Sequence, residues 1–148
     1  MIDSRELLLL SERLARGTCE ADWRAAVSRA YYSAFHHARE FFQALGFDVP
    51  RSDAAHAFFW RRMENSGHAA LKSAGSTLVQ LRRQRNRADY DVHETVIQRD
   101  ARSVITRAAE TIHLIDSLGS GDRQAAIEVI RTYERDVLRE TTWRVRPR

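Results

Sequence analysis

Trp23, Ala26, Val27, Ala30, Tyr31, Ala34, Ala38, Phe41, Phe42 and Leu45 recur at steps of three and four, with no glycine or proline between them. That is the period of a helix buried along one face, and a strand, whose side chains alternate every two residues, cannot present it. A helix this long needs other apolar helical stripes to pack against. The chain supplies them, because its two prolines and six glycines leave long unbroken segments and no Val/Ile/Thr-rich alternating run interrupts the pattern. The fold class read from this spacing is all-α.

Boundaries follow from caps and breakers. A first helix is expected from about Asp3 to Arg16, capped by Asp3 or Ser4 and stopped by Gly17, and the second spans about Glu20 to Leu45 and closes at Gly46. Phe47 to Arg51 contains Pro50 and reads as a loop; Ser52 or Asp53 then caps a third helix carrying Ala57, Phe58 and Trp60, which ends at Asn65, Ser66 and Gly67. The fourth starts near His68, runs through Leu71, Ala74, Leu78 and Leu81, and has no marked end. The fifth is expected from about Glu94 to Leu118, the sixth from Asp122 to about Glu140 after the break at Gly119, Ser120 and Gly121, and Thr141 to Arg148 reads as a frayed basic tail.

A length of 148 residues suits one domain, and a hydrophobic share of 43% suits one buried core. The single cysteine, Cys19, can form neither an internal disulfide nor a Cys-based zinc site, and no apolar run reaches bilayer length, so a soluble, cytoplasmic protein with no membrane association is expected. The formal charge is 24 − 20 = +4, and 23 of the 24 cations are arginine, with Lys72 the sole lysine. Arginine forks onto phosphate and stacks on bases, which is compatible with a nucleic-acid partner, although Arg/Ala-rich composition also follows from a GC-rich genome.

The sequence has no phosphate-binding Gly-rich loop, no His-Glu-x-x-His helix and no Gly-x-Ser-x-Gly elbow. Asp89, Asp91 and His93 alternate like the start of a calcium loop, but Glu94 stands where that loop needs glycine, so neither a metal nor another cofactor is expected. The densest polar stretch runs from Leu81 to His93, after an aromatic helix bearing Tyr31, Tyr32, Phe35, His36 and Arg39. Tyr-Tyr-x-x-Phe-His-x-x-Arg at 31–39, followed by Arg85, Ala88, Asp89 and Tyr90 in the order Arg-x-x-Ala-Asp-Tyr, resembles the HEPN superfamily, specifically a prokaryotic subgroup.

The resemblance implies an up-and-down antiparallel bundle of five core helices over residues 1–118, with 119–148 an extra C-terminal helix and basic tail on the same domain. It also implies a homodimer and a metal-independent ribonuclease, acting as a toxin or defence effector held in check by a partner. The family's nuclease signature is an arginine, a polar residue, and a histidine after four to six intervening positions. Arg85-Asn86 has the dipeptide, but Arg85 leaves seven residues before His93; Arg87 leaves five but is followed by Ala88. At about 100° per residue, Arg82, Asn86, Asp89 and His93 share one helical face with Arg85 beside them and Arg87 opposite, provided the helix persists to His93. If it breaks near Asp91, either arginine could accompany the histidine.

The catalytic set is therefore read as Arg85, His93, Asn86 and Asp89: His93 takes the ribose 2′-OH proton and Arg85 stabilises charge gathering on phosphorus. Arg82, Arg83 and Arg87 are read as RNA-binding cations. The competing reading makes Arg85 and Asp89 a structural salt bridge and His93 a cap of the next helix. Tyr90 is the candidate for adenylylation by a nucleotidyltransferase antitoxin, or else a packed tyrosine bonded to a neighbouring helix. His36 and His37 point about 100° apart, and Trp23, Phe41, Phe42, Phe58 and Trp60 are read as core or dimer-face residues. Two other functions are open: a non-catalytic module that binds a nucleotide or a nucleotidyltransferase, and a helical adaptor docking a partner through residues 122–148.

Overall fold

The computed structural model describes residues 2–144, so Arg146 and Arg148 of the basic tail lie outside the described residues. Six α-helices follow in order: α1 Ser4–Ala15, α2 Glu20–Leu45, α3 Ala54–Glu64, α4 Ala69–Tyr90, α5 Gln98–Asp116 and α6 Ser120–Tyr133, which runs into a π-helical turn at Glu134–Leu138. No β-strand forms among the described residues, and none of their helices is long and apolar enough to cross a membrane.

α2 is the axis of the bundle, with α1, α4 and α5 packed around it and α3 laid on α4. Its 26 residues extend about 39 Å at 1.5 Å each. Ala26, Ala30, Ala34 and Ala38 recur every four residues and are fully buried, so neighbouring helices approach its backbone closely. Phe42 stacks on Phe59 at 5.7 Å between ring centroids and meets Phe47 and Phe58 edge to face, joining α2 to α3 through aromatic contact. In α4, a Cβ on Gly75 would stand 2.8 Å from Cβ of Met63, so this glycine is what lets α3 lie against α4.

Local chemistry explains the helix ends. Asp3 caps α1 through a 2.8 Å bond from Arg5 N–H, His68 Nδ1 accepts from Ala70 N–H at α4, and Gly46 closes α2 in the left-handed conformation at φ 104°. α4 stops at Tyr90, so His93 is not on that helix and the shared face expected to carry it ends at Asp89. The stop is imposed from α2: Arg24 donates to the carbonyls of Ala88 at 2.8 Å and Asp91 at 3.3 Å, and to that of Glu94, while Glu20 Oε1 accepts from Val96 N–H at 3.1 Å. Arg24 thus satisfies carbonyls left open at the end of α4 and holds residues 91–96 as a loop.

α5 consequently begins at Gln98 rather than near Glu94, with the Asp100 carboxylate reaching back to Ile97 N–H at 2.9 Å. Arg24→Met should cost about 2 kcal/mol, the worth of hydrogen bonds to a charged donor. Hydrogen exchange of residues 91–96 should accelerate while α5 stays protected, and an unchanged loop would show that Arg24 does not hold it.

The C-terminal region departs most from expectation. The break falls at Ser117–Gly119, and α6 begins at Ser120 with Gly121 inside its first turn. The helix expected to reach Glu140 instead changes to the π-helical turn, and Arg139, at φ 56°, reverses the chain. Nor is the start of the tail frayed: Asp48 N–H donates to Thr142 O and Arg144 N–H to Gly46 O, both at 2.8 Å. Side-chain bonds far away in sequence hold this reversal, and no periodicity can report them.

Candidate functional site

The predicted cluster divides on the structure. Arg82, Arg85, Asn86 and Asp89 lie on the turns of α4 nearest α2, whereas His93 sits exposed in the following loop. Arg85 Nε stands 2.8 Å from Asp89 Oδ2, an ion pair whose angle falls outside hydrogen-bond geometry, and Arg85 Nη1 donates to Asn86 Oδ1 at 3.2 Å. Its guanidinium also lies over the rings of Tyr32, at 5.0 Å, and Tyr90, at 5.4 Å. Ser28 Oγ donates to Asp89 Oδ2 at 3.2 Å, joining α2 to this group. Arg85 is thus occupied within its own chain.

Arg87 turns the other way, donating from Nε to Glu94 Oε2 at 2.6 Å and from Nη2 to Thr95 O at 3.1 Å, so it fastens the loop. His93 does not cap α5, whose cap is Ile97. Tyr90 is not packed with its hydroxyl on a neighbouring helix; it is 67% exposed, and with Val92 at 69% forms an open apolar edge beside His93. His37 is buried, its Nε2 2.7 Å from Asp116 Oδ1, while His36 rests half-buried against Tyr32 and Phe35. Phe41, Phe42 and Phe58 are core residues, but Trp60 is half-buried and lines a cavity.

That cavity, of about 740 Å³, opens between α2, α3 and α4 and meets the predicted cluster at Arg82. Tyr31, Phe35, His56, Phe59 and Trp60 give it aromatic walls. Lys72 stands at one end and Arg82 and Arg83 at the other, with Glu64 on the rim. Arg82 is half-buried, its Nε is shut off from solvent, and among the described residues it has neither a hydrogen-bond partner nor a carboxylate. That nitrogen is desolvated without a compensating hydrogen bond.

His56 stacks on Tyr31 at 5.7 Å between centroids, and its Nδ1 hydrogen-bonds the Tyr31 hydroxyl. Burial lowers the His56 pKa, and the charge of Arg82, followed by those of Arg85 and Arg39, lowers it further against the opposing pull of Asp53. Burial raises the Tyr31 pKa, with the Arg82 and Arg85 charges pulling the other way. A phenol that keeps its proton and a neutral imidazole fit a bond in which Tyr31 donates to Nδ1, leaving the His56 proton on Nε2.

Because folded His56 binds its proton more weakly than the unfolded chain does, it contributes stability that is present above its ordinary pKa near 6.5. That contribution is lost as pH falls from there through the lowered folded value. His36, lowered by burial and then by Arg39, acts in the same direction. Melting temperature should fall below about pH 6.5, and His56→Gln should flatten the dependence; an identical slope in the variant would exclude His56 as a source.

Sequence reasoning placed Arg82 and Arg83 on a binding face but missed His56. Its significance depends on contacts with Tyr31, twenty-five positions earlier, and on the charge of Arg82. The only local sign was its place three residues before Phe59 on a helix with an apolar face. No curated protein and no solved structure matches the chain. The family model described as the HEPN domain matches residues 10–118, which is α1 from its middle through α5, and this helical order over well over half of the chain shows that it belongs to the HEPN domain family.

Proposed function

We propose that this HEPN domain binds a nucleotide, with the base between the aromatic walls of the α2–α3–α4 cavity and the phosphate on Arg82 and Arg83. The observation that carries the reading is Arg82 at the mouth of an aromatic cavity, its buried Nε without a hydrogen-bond partner and its charge without a carboxylate among the described residues. An incoming phosphate would offset its desolvation through a charge-assisted fork, and the half-buried Trp60 offers aromatic surface to a base over the buried rings of Phe35 and Phe59. Glu64 on the rim can accept from an exocyclic amine or a ribose hydroxyl. Calorimetric titration with adenosine 5′-monophosphate (AMP) should give a Kd on the order of 100 µM, about −5.5 kcal/mol. Absence of heat and of competition by other mononucleotides would refute the reading.

A specific observation favours a second reading, RNA cleavage. Tyr90, Val92 and Ile97 are exposed apolar residues around His93, an edge that a second copy of the chain would cover. In that homodimer His93 of each copy would meet Arg85, Asn86 and Asp89 across a two-fold cleft, with Arg87 fixing the loop from within its own chain. The protein would then act as a metal-independent ribonuclease of the toxin or defence kind, with Tyr90 open to a nucleotidyltransferase antitoxin. Chelator-resistant cleavage of single-stranded RNA, reduced by roughly 100-fold in both Arg85→Ala and His93→Ala, would establish it. An inert wild type on varied RNAs leaves the binding module as the function.

A further inference from the structure

α6 and the segment after it lie beyond the matched residues 10–118, yet two carboxylates of that segment converge on the arginine buried in α3. Arg62 is 2% exposed; its Nε and Nη2 donate to Glu134 Oε2 at 2.9 and 2.7 Å, and Nη2 also donates to Glu140 Oε1 at 2.6 Å. The guanidinium lies 3.7 Å from the centroid of Phe58. Glu134, buried in the π-helical turn, accepts in addition from Thr142 N–H at 3.2 Å and Thr142 Oγ1 at 2.6 Å. One carboxylate therefore joins α3 to the returning C-terminal segment.

The same segment is fastened to the end of α2. The Trp143 indole donates to Leu45 O at 3.0 Å, Arg131 covers the Trp143 ring at 4.1 Å, and backbone bonds pair Thr142 and Arg144 with Asp48 and Gly46. α3 is otherwise held by α4, at the Gly75–Met63 contact, and by α2 through side chains alone, Phe35 and Phe42 on Phe58 and Phe59 and Tyr31 on His56, since the two backbones barely touch. His56, Phe59 and Trp60 face the cavity, while Phe58 and Arg62 lie about 130° round the same helix. The hold on Arg62, on the side of α3 away from the cavity, helps to fix the cavity wall. Released there, α3 can shift on the packing against α2 and α4 that remains.

We propose that residues 134–144 are a latch on α3 whose closed state sets the width of the cavity and so its affinity for a nucleotide. The proposal rests on the cavity being a nucleotide site. Arg62 is then a positioning residue, acting on the ligand only through the helix that carries it.

Trp143→Ala removes one fastening of the latch without touching the cavity lining. In the full-length variant, amide exchange of residues 54–64 should accelerate at least tenfold with α5 unchanged, and the Kd for AMP should rise at least fivefold. Glu140→Gln, whose carboxylate is half exposed, provides a milder variant that keeps the fold and should shift both readouts in the same direction. Unchanged exchange in both variants overturns the latch, and faster exchange with unchanged AMP affinity overturns its coupling to the cavity. A wild type that fails to bind AMP removes the nucleotide reading and the affinity half of the proposal with it, while the exchange arm alone still upholds or overturns the hold on α3.

Discussion

Arg62→Met destabilises the domain by about 3 to 5 kcal/mol, the penalty of leaving a buried carboxylate without its cation. Glu134 is 1% exposed, and the loss of Arg62 takes two of the donors it accepts from, leaving only the N–H and hydroxyl of Thr142. Chemical denaturation reads the loss directly, and for a chain of this size the melting temperature should fall on the order of 10 °C. Arg62→Met/Glu134→Leu should recover most of it, because replacing both members of a buried pair by apolar groups of similar size removes the desolvation cost together with the attraction. A single variant as stable as wild type would mean that the ion pair contributes nothing to holding α3. A double variant worse than the single would mean that Glu134 is needed for Thr142 more than for Arg62.

Arg82→Ala should raise the Kd for AMP by about 10- to 100-fold, corresponding to roughly 1.5 to 3 kcal/mol for hydrogen bonds to a charged group. The magnitude follows from the position of Arg82: the side chain is half-buried at the cavity mouth and free of any carboxylate among the described residues, so its interaction with a phosphate is neither shared nor fully screened by water. Arg82→Lys should recover only part of the affinity, since an ammonium supplies the charge without the planar fork. Arg85→Ala should change the affinity by less than about threefold, because Arg85 is paired with Asp89 and stacked on Tyr32 and Tyr90, outside the cavity lining. A larger effect at Arg85 than at Arg82 would move the phosphate to the end of α4 and favour the cleft reading.

The bundle was legible because its helices advertise themselves locally. The alanine and phenylalanine positions of α2 repeat at helical spacing, and Gly46 and His68 stand where a stop and a cap belong. What escaped the sequence was decided by side chains distant along it. Arg24 ends α4 from more than sixty residues away and puts His93 in a loop, and Glu134 turns the expected end of the sixth helix into the latch by binding Arg62. The arginine cluster was visible as composition, but its division into a caged Arg85, a loop-fastening Arg87 and an unpaired Arg82 depends on which acids come within reach: Asp89, Glu94 and, among the described residues, none. His56 was invisible for the same reason, being one histidine among six until the fold sets it against Tyr31.

The central claim is that the ligand enters between α3 and α4 and not at the end of α4. Two-dimensional NMR of the full chain during titration with AMP locates it residue by residue. Shifts should appear first at the Trp60 indole, the His56 ring and the amides around Arg82, and His56 should gain proton affinity as the phosphate offsets the arginine charges that lower its pKa. Shifts confined to residues 85–97, centred on Tyr90 and His93 with Trp60 and His56 unmoved, would contradict the account.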